Sequence, residues 1–256
     1  MKTFTLITGA STGFGKSLAI ECANRGMNLV MVALPSSGLH ELGCFLKMNF
    51  NIEAITFEIN LSTKQSCHSL YKKVKAAGVS IKYLINNAGV LSRGVFEDLD
   101  EDYFLTQISV NIAAPTLLTK LFFEDLKTNA PSGILNVSSM ASFFHLPKKQ
   151  VYGGTKAYLL SFSKSLRKEI GKYGIWVSIV CPGGMNTTTS LCIQNRKLGK
   201  LSRTSILNPE IAAKETLQKF LAKKEVVIPG TMNKLFMFLD NIIPTTIKNK
   251  LTSNAI

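Results

Sequence analysis

A tyrosine and a lysine four residues apart are the side chains with the clearest chemical potential in this sequence. Tyr152 and Lys156 stand in the run Tyr-Gly-Gly-Thr-Lys, and at the start of a helix residues at i and i+4 share one face. A nearby ammonium favours phenolate, so we expect Lys156 to lower the pKa of Tyr152 toward working pH. A phenol tuned in this way can donate or accept a proton during catalysis.

A glycine-rich turn near the N-terminus has the composition of a phosphate-binding loop. Gly9, Gly13 and Gly15 stand in Thr-Gly-Ala-Ser-Thr-Gly-Phe-Gly, after an apolar run and before a helical pattern. Glycines let the backbone turn tightly and approach phosphates, and the amino end of the next helix offers free N–H groups and positive charge. Its position between strand and helix favours cofactor binding over a purely structural turn.

The elements that must position these residues alternate between strand and helix about six times. Apolar runs typical of buried parallel strands lie at 3–8, 28–33, 52–58, 82–85, 133–137, 175–180 and 226–228. Helical patterns separate them, including one continuous stretch over about 101–127 and another over 152–173. We predict that Ser62 caps a helix ending at Gly78 and that Pro209 opens a later helix. The alternation predicts one α/β domain over residues 1–256, a doubly wound parallel sheet with helices on both faces.

Composition fits a globular enzyme and argues against several other classes. Of the 256 residues, 46% are apolar and 18% are charged, which suits a large buried core. No window reaches the roughly 20 apolar residues that span a bilayer, and the N-terminus does not resemble a secretory signal. Five cysteines without a Cys-x-x-Cys pair indicate reduced thiols, so we expect a cytoplasmic protein with no disulfides and no metal site.

The net charge of +14 is the unusual part of the composition. A basic field attracts phosphorylated cofactors, anionic lipid surfaces and nucleic acid alike. Aromatic residues do not interleave with the basic ones as they do in single-strand binding surfaces. We therefore expect no nucleic-acid partner, and we interpret most of these charges as an ordinary basic surface.

Five motifs together resemble the classical short-chain dehydrogenase/reductase family. They are the glycine turn, Asn-Asn-Ala-Gly at 86–89, Asn-Val-Ser-Ser at 136–139, Tyr-x-x-x-Lys at 152–156, and Pro-Gly at 182–183. They occur in the family's order and at its spacings, and the resemblance runs from Thr3 to about Ile228. The resemblance implies a Rossmann-type sheet and hydride transfer between NAD(P) and a carbonyl or alcohol, with oligomers (dimers or tetramers) common in the family.

The resemblance also assigns catalytic roles. Tyr152 matches the general acid–base, and Lys156 matches the lysine that binds the nicotinamide ribose and lowers the tyrosine pKa. Ser139 matches the serine that hydrogen-bonds the substrate oxygen, with its neighbour Ser138 as the alternative. Asn111 matches the asparagine that holds a proton-relay water, and a helix-surface asparagine is the competing interpretation. The residues that the resemblance places around the cofactor are Gly9, Ser11, Thr12, Gly13, Phe14, Gly15, Leu34, Asn60, Leu61, Asn87, Ala88, Gly89, Tyr152, Lys156, Pro182, Gly183, Met185 and Thr187.

Two positions depart from the family pattern. Asn60 stands where an aspartate beside the adenine ring is common, and its side-chain oxygen can still accept a hydrogen bond from the adenine amino group. Ala33 stands where NAD-using members have a carboxylate, and Leu34 where many NADP-using members have arginine. Because no carboxylate at Ala33 would repel a 2′-phosphate and the net field is basic, we predict a preference for NADP(H), with NAD(H) as the alternative.

Two segments outside the motifs bear on the substrate. Residues 186–207 correspond to the family's variable substrate loop and mix leucines with arginines and lysines. Residues 231–256 form an amphipathic C-terminal extension with apolar residues at helical spacing. Either this extension packs on its own domain or a partner subunit, or it borders a lipophilic substrate site and touches an anionic membrane surface.

The function predicted from the sequence is therefore interconversion of a ketone or aldehyde and an alcohol, with a small-molecule, and perhaps lipophilic, substrate. A non-catalytic NADP(H)-binding sensor or scaffold of the same fold is the main alternative. The intact Ser139, Tyr152 and Lys156 argue against it, because loss of the tyrosine or lysine is the simplest mark of such a protein.

Overall fold

A seven-stranded parallel β-sheet forms the centre of the protein in a computed structural model, which describes residues 2–91, 94–187, 189–196, 199 and 203–242. The sheet order is β3-β2-β1-β4-β5-β6-β7, with every pair parallel. The order reverses between β1 and β4, where doubly wound sheets bind ligands. This architecture confirms the predicted fold class. The strands are β1 Thr3–Thr8, β2 Asn28–Ala33, β3 Ala54–Glu58, β4 Ser80–Asn86, β5 Ser132–Val137, β6 Ile175–Val180 and β7 Val226–Val227.

Helices connect successive strands and cover both faces of the sheet. Within the described ranges they are α1 Gly13–Asn24, α2 Leu39–Phe50, α3 Lys64–Ala76, α4 Glu101–Ile108, α5 Ala114–Leu121, α6 Phe123–Thr128, α7 Gln150–Ile170, α8 Thr189–Arg196, α9 Pro209–Leu221 and α10 Thr231–Ile242.

Alternation of side chains along the strands supplies two cores. Leu6 and Ile7 are adjacent on β1 and fully buried, but they belong to different clusters on opposite faces. The Ile7 face packs against α1, α2 and α9, and the Leu6 face packs against α3, α5 and α6. Burial on both faces explains why the strands are continuous apolar runs.

Two helix predictions from the sequence are wrong in detail, and one is confirmed. The continuous helix over 101–127 is divided into α4, a π-helical turn Ser109–Ala113, α5 and α6. Pro115 lacks the N–H that would continue the regular ladder at this point, which favours the wider turn. The cap of α3 is Thr63 rather than Ser62, in a reciprocal capping box with Ser66. Pro209 does open α9 after the Asn208 cap.

Parts of the two predicted substrate segments lie outside the described residues, namely 188, 197–198 and 200–202 of the substrate loop and 243–256 of the C-terminal extension. Across the part of the chain that is described, none of the helices combines the length and apolar character needed to cross a bilayer.

Candidate active site

The carboxyl ends of four central strands meet at one edge of the sheet, here called the carboxyl edge. Thr8 ends β1, Asn86 ends β4, Val137 ends β5 and Val180 ends β6. Parallel strands all present their carboxyl ends on the same side, which brings together residues far apart in sequence. The predicted residues at 9–15, 87–89, 139 and 182–187 follow these four strands and share this edge.

The glycine turn after β1 has the open backbone that a pyrophosphate needs. Gly9 and Gly13 have φ values of +64° and +54°, in the region that favours glycine. A Cβ at Gly15 would lie 2.0 Å from the carbonyl oxygen of Gly9, so only glycine allows α1 to begin so close to β1. Thr12 is the N-cap of α1 but its side chain makes no capping hydrogen bond, so it leaves the N–H groups of the first turn open to an anion. The neighbouring Phe14 side chain is buried in the core.

Asn87 fastens this turn to the end of β4. Its Nδ2 donates to the carbonyl oxygens of Thr8 and Gly9 at 2.9 and 3.0 Å. The backbone N–H groups of Asn87 and Ala88 both donate to Oγ1 of Thr8 at 3.0 Å. The side chain of Asn87 is thus committed to shaping the cofactor turn.

Asn111 is fully buried in the π-helical turn. Its Oδ1 accepts from the N–H of Val90 at 2.8 Å, and its Nδ2 donates to the carbonyl oxygen of Val90 at 3.0 Å and to Oγ1 of Thr155 at 3.1 Å. A Cβ at Gly89 would lie 3.2 Å from Asn111 Oδ1 and 3.3 Å from Lys156 Nζ. The interpretation of Asn111 as a helix-surface residue is therefore wrong, because its amide lies beside the lysine.

Ser139, Tyr152 and Lys156 come together at the start of α7. Lys156 Nζ lies 5.7 Å from the centroid of the Tyr152 ring and donates to the carbonyl oxygen of Val137 at 2.9 Å. The Tyr152 hydroxyl and the Ser139 side chain share a hydrogen bond. Ser139 Oγ also accepts from the N–H of Ala141 at 3.1 Å, which fixes the serine beside the phenol. Two hydroxyl groups thus converge above an ammonium.

The two neighbouring serines have different roles in this geometry. Ser138 is 2% exposed and its hydroxyl donates to the carbonyl oxygen of Lys156 at 2.8 Å. Ser138 therefore ties β5 to α7, while Ser139 is the serine that reaches Tyr152. The choice of Ser139 over Ser138 agrees with this arrangement.

Burial controls the acidity of both titratable groups. It raises the pKa of Tyr152 above its usual 10.0, and the hydrogen bond with Ser139 lowers that pKa by a smaller amount. Burial lowers the pKa of Lys156 to about 8. The expectation that Lys156 lowers the pKa of Tyr152 is therefore wrong for this structure, because the ammonium is directed to the Val137 carbonyl. The phenol is neutral and protonated near pH 7, as a proton donor must be.

The loop after β6 closes the other side of the site. The carbonyl oxygen of Pro182 accepts from the N–H of Met140 at 2.9 Å. Further along, Met185 forms a parallel bridge with Leu207. A Cβ at Gly13 would lie 3.1 Å from Cβ of Thr187, so this loop reaches the glycine turn. It encloses the space between the cofactor turn and the catalytic hydroxyls.

The adenosine end of the site lies beyond β2 and β3. Leu34 is 57% exposed, whereas the Leu61 side chain is buried, so Leu61 can offer only its backbone. Asn60 Oδ1 accepts from the N–H of Ser62 at 3.1 Å, and this oxygen has a second lone pair for a ligand. The predicted adenine contact of Asn60 stays a prediction.

Two residues near the site were missed in the sequence. Glu58 lies in register with Ala33, and its carboxylate accepts from the N–H of Ser36 at 3.3 Å. The assumption that no carboxylate faces this corner is therefore wrong. Only the predicted strand pairing could have indicated it.

Asn233, the second of these residues, is 2% exposed on α10. A Cβ at Gly183 would lie 2.6 Å from its Oδ1. No sequence motif marks this contact, because the C-terminal segment follows the motif region. As to metals, no group of three or more His, Cys, Asp or Glu residues in the described ranges is placed to hold an ion.

Comparison with known proteins gives one family and consistent relatives. The family described as short chain dehydrogenase matches residues 3–197. An uncharacterized oxidoreductase from Thermotoga maritima is 33% identical over 178 residues, covering 70% of each chain. Very-long-chain 3-oxoacyl-CoA reductase-A from Danio rerio is 31% identical over 186 residues, covering 70% of this chain but only 57% of that protein.

Among solved structures, a short-chain dehydrogenase from Sphingobium yanoikuyae in complex with NADPH superposes with a TM-score of 0.80. It is 25% identical in sequence, and the match covers 96% of this chain and 97% of that one. The shared architecture therefore includes nearly the whole chain, including the segment after residue 197.

Proposed function

The chain belongs to the short-chain dehydrogenase family and is an NAD(P)-dependent oxidoreductase of C=O and CH–OH groups, and from this premise we propose that it acts on a lipophilic ketone or aldehyde with Tyr152 as the general acid–base. The observation that carries the proposal is the convergence of Ser139, Tyr152 and Lys156 beside the glycine turn. A structural scaffold would have no need to bury a lysine charge beside a phenol.

The proposed mechanism follows from the protonation states of these residues. A bound nicotinamide supplies the hydride in reduction or takes it up in oxidation. In reduction, Tyr152 gives its phenolic proton to the carbonyl oxygen. The hydroxyl of Ser139 orients that oxygen and stabilises the negative charge that develops on it. Lys156, held by the Val137 carbonyl, places positive charge near the phenolate that Tyr152 becomes.

The residues present fit a dinucleotide along the carboxyl edge. The glycine turn with Ser11 and Thr12 would hold the pyrophosphate, because its backbone is unobstructed. Asn87, Ala88 and Gly89 would border the ribose next to β4. The loop containing Pro182, Gly183, Met185 and Thr187 would cover the nicotinamide end, and Leu34, Asn60 and Leu61 would border the adenine end.

The preference for NADP(H) stays a prediction. The net charge of +14 supports it, as does the relative from Sphingobium yanoikuyae, whose structure is a complex with NADPH. The Glu58 carboxylate opposes it. Values of kcat/KM for the two cofactors with one substrate decide the question, and a lead for NAD(H) would overturn the preference.

A lipophilic substrate with an anionic end is the substrate class that we propose. The relative from Danio rerio is named for a very-long-chain 3-oxoacyl-CoA substrate. In the proposed substrate loop, the exposed Ile193 offers apolar surface, and two arginines in the same loop could bind an acidic group. A cavity of about 310 Å³ in this region is lined by Asn186, Cys192, Asn195, Arg196, Arg203 and Ile206.

A panel of ketones, aldehydes and alcohols tests the proposed function. Nicotinamide absorbance would be followed with both cofactors for short, long-chain and polycyclic substrates, with and without an acidic group. We expect turnover that rises with apolar size and is abolished in Tyr152→Phe. Cofactor binding without turnover of any substrate would instead favour the non-catalytic sensor.

Self-association is the partner that we propose, on the basis of exposed apolar side chains. Leu105 and Ile108 on α4 are 58% and 42% exposed, and Tyr158 on the adjacent α7 is 36% exposed. A contiguous apolar surface of this kind is typical of subunit interfaces. A homo-oligomer that covers α4 and α7 would bury it.

Peripheral contact of a cytoplasmic enzyme with an anionic membrane is a separate proposal. Leu235, Phe238 and Leu239 are 44%, 62% and 40% exposed on α10, at the spacing of one helix face. From Cys192 onward the sequence carries eleven Lys or Arg and four Asp or Glu, so this end has positive charge for anionic lipid. Cosedimentation with anionic but not neutral vesicles is expected, and Phe238→Ser should weaken it. No binding to either kind of vesicle would contradict the proposal.

A further inference from the structure

A carboxylate stands at the end of β3 where the neighbouring strand offers none. Ala33 and Glu58 are Cα partners at the carboxyl ends of β2 and β3. Side chains paired in register on adjacent parallel strands point to the same face of a sheet. Because Ala33 has no atoms beyond Cβ, no side chain from that position separates Glu58 from the end of β2.

The loop after β2 holds this carboxylate in place. Ser36 has a φ of +56°, a left-handed conformation that is uncommon for serine. Its N–H donates to Glu58 Oε2 at 3.3 Å. In the same loop, the Ser37 hydroxyl donates to the carbonyl oxygen of Leu34 at 2.6 Å. The Glu58 carboxylate therefore reaches from β3 to the loop that follows β2.

The charge at this corner is not neutralised by a neighbour. The ion pairs formed by the described residues do not include Glu58. Both Glu58 and Leu34 are exposed, and Leu34 brings no positive charge. The corner thus presents carboxylate oxygens and an apolar side chain to solvent.

The corner is the part of the site that distinguishes the two cofactors. In a doubly wound sheet with a glycine turn after β1, the adenosine ribose lies near the end of β2. A carboxylate there accepts hydrogen bonds from the ribose hydroxyls of NAD(H), whereas the 2′-phosphate of NADP(H) requires a cation. We infer that Glu58 is the residue that discriminates between the cofactors, by binding the ribose hydroxyls and repelling the 2′-phosphate.

This inference rests on the proposed cofactor site, but it concerns a ratio and not the preferred cofactor. Whatever the preference of the native protein, Glu58 moves it toward NAD(H). The basic field of the whole molecule acts in the opposite direction, at longer range.

Two variants and a matched control test the role of Glu58 by direct binding. Glu58→Gln removes the charge and keeps a carbonyl oxygen for the Ser36 amide, and Glu58→Asp keeps the charge. Glu53→Gln removes an equal charge at the opposite end of the same strand, where Glu53 pairs with Lys2. Dissociation constants for NADPH and NADH would be measured by calorimetry at low and high salt, with thermal melting as the check of folding.

For Glu58→Gln we expect the affinity ratio of NADPH to NADH to rise by about three- to tenfold at low salt and by less at high salt. Glu53→Gln and Glu58→Asp should keep the native ratio. An unchanged ratio in folded Glu58→Gln, or an equal change for both cofactors, would overturn the inference. Failure of the native protein to bind either cofactor would instead refute the proposed function itself.

Discussion

At the residue scale, the raised pKa of Tyr152 determines how the rate depends on pH. The phenol is protonated through the neutral range because burial raises its pKa. Carbonyl reduction uses this acid form, so its kcat should not increase with pH. Alcohol oxidation needs the phenolate, so its kcat should rise from pH 6 to about pH 9, below the pKa of the phenol. Initial rates in both directions across this range check the assignment, and opposite trends would exclude Tyr152 as the proton donor.

Removal of the phenolic hydroxyl is the direct test of the same residue. Tyr152→Phe keeps the ring and should lower kcat by roughly 10²–10⁴-fold, as expected for loss of a general acid. The dissociation constant for the cofactor should hardly change. A variant that keeps more than about a tenth of the native kcat would refute the proposed role.

Lys156 is expected to lower the stability of the fold in return for its place in the site. Its pKa falls from 10.5 to about 8 in the folded state, so the folded protein binds its proton less tightly than the unfolded chain does. Below pH 8 the full cost of burying the charge is present, and the cost disappears as pH rises toward 10.5. A shift of this size corresponds to on the order of 3 kcal/mol.

We therefore expect Lys156→Met to raise Tm at pH 7 by roughly 3–6 °C, after subtraction of the lost hydrogen bond to Val137. The gain should shrink above pH 8, and activity should be lost. Lys164→Met, at an exposed position of the same helix, is the control and should leave Tm unchanged. Destabilisation by Lys156→Met at every pH would show that the lysine contributes packing that outweighs its charge.

How much of the site could be predicted differs from residue to residue. Tyr152, Lys156 and Ser139 could be found because spacing on one helix and position after one strand are local properties. The pKa of Tyr152 could not, because it depends on how deeply the ring is buried and on the carbonyl that engages the lysine. Glu58 was missed since its importance depends on the register of two strands.

At the scale of elements, the divided helix explains how Asn111 reaches the site. The apolar pattern over 101–127 indicated a helix but carried no sign of the π-helical turn. The wider turn places Asn111 fully inside the protein, against the Val90 backbone. Sequence periodicity gives the existence of a helix more readily than local changes in its winding.

The first turn of α10 should control the loop that covers the nicotinamide end. Asn233 packs on Gly183 and donates to the carbonyl oxygens of Pro229 and Ser205 at 3.1 and 3.3 Å. Glu215 supports the same turn, because its carboxylate pairs with Lys234 and accepts from the N–H of Gly230. These contacts lower the pKa of Glu215 to about 2 although burial alone would raise it.

Asn233→Ala should therefore weaken cofactor binding several-fold, and it should lower the free energy of unfolding by about 2 kcal/mol for two lost hydrogen bonds. Leu235→Ala, at an exposed position of the same helix, is the matched control and should change stability by less than about 0.5 kcal/mol. Calorimetric cofactor titration and thermal melting provide the two measurements. A destabilised variant with native cofactor affinity would show that α10 does not control the loop.

At the scale of the whole molecule, the apolar surface of α4 and α7 should determine the assembly. Ile108→Glu would place a charge in the proposed interface, so the mass measured by light scattering should fall from that of an oligomer to that of a monomer. Met48→Glu, on the exposed face of α2, is the control and should keep the oligomer. A native protein that is already monomeric at micromolar concentration would refute the proposed interface.

Because β2 and β3 run side by side in register, a chemical requirement at the end of one strand can be met from the end of the other. Ala33 and Glu58 are far apart in the chain but occupy one rung of the ladder. During divergence a charge could move sideways between such positions while both loops keep their length and shape. An alignment read position by position would then show a loss in one column and an unrelated gain in another. Only a comparison made rung by rung across the sheet would show that the two changes compensate each other.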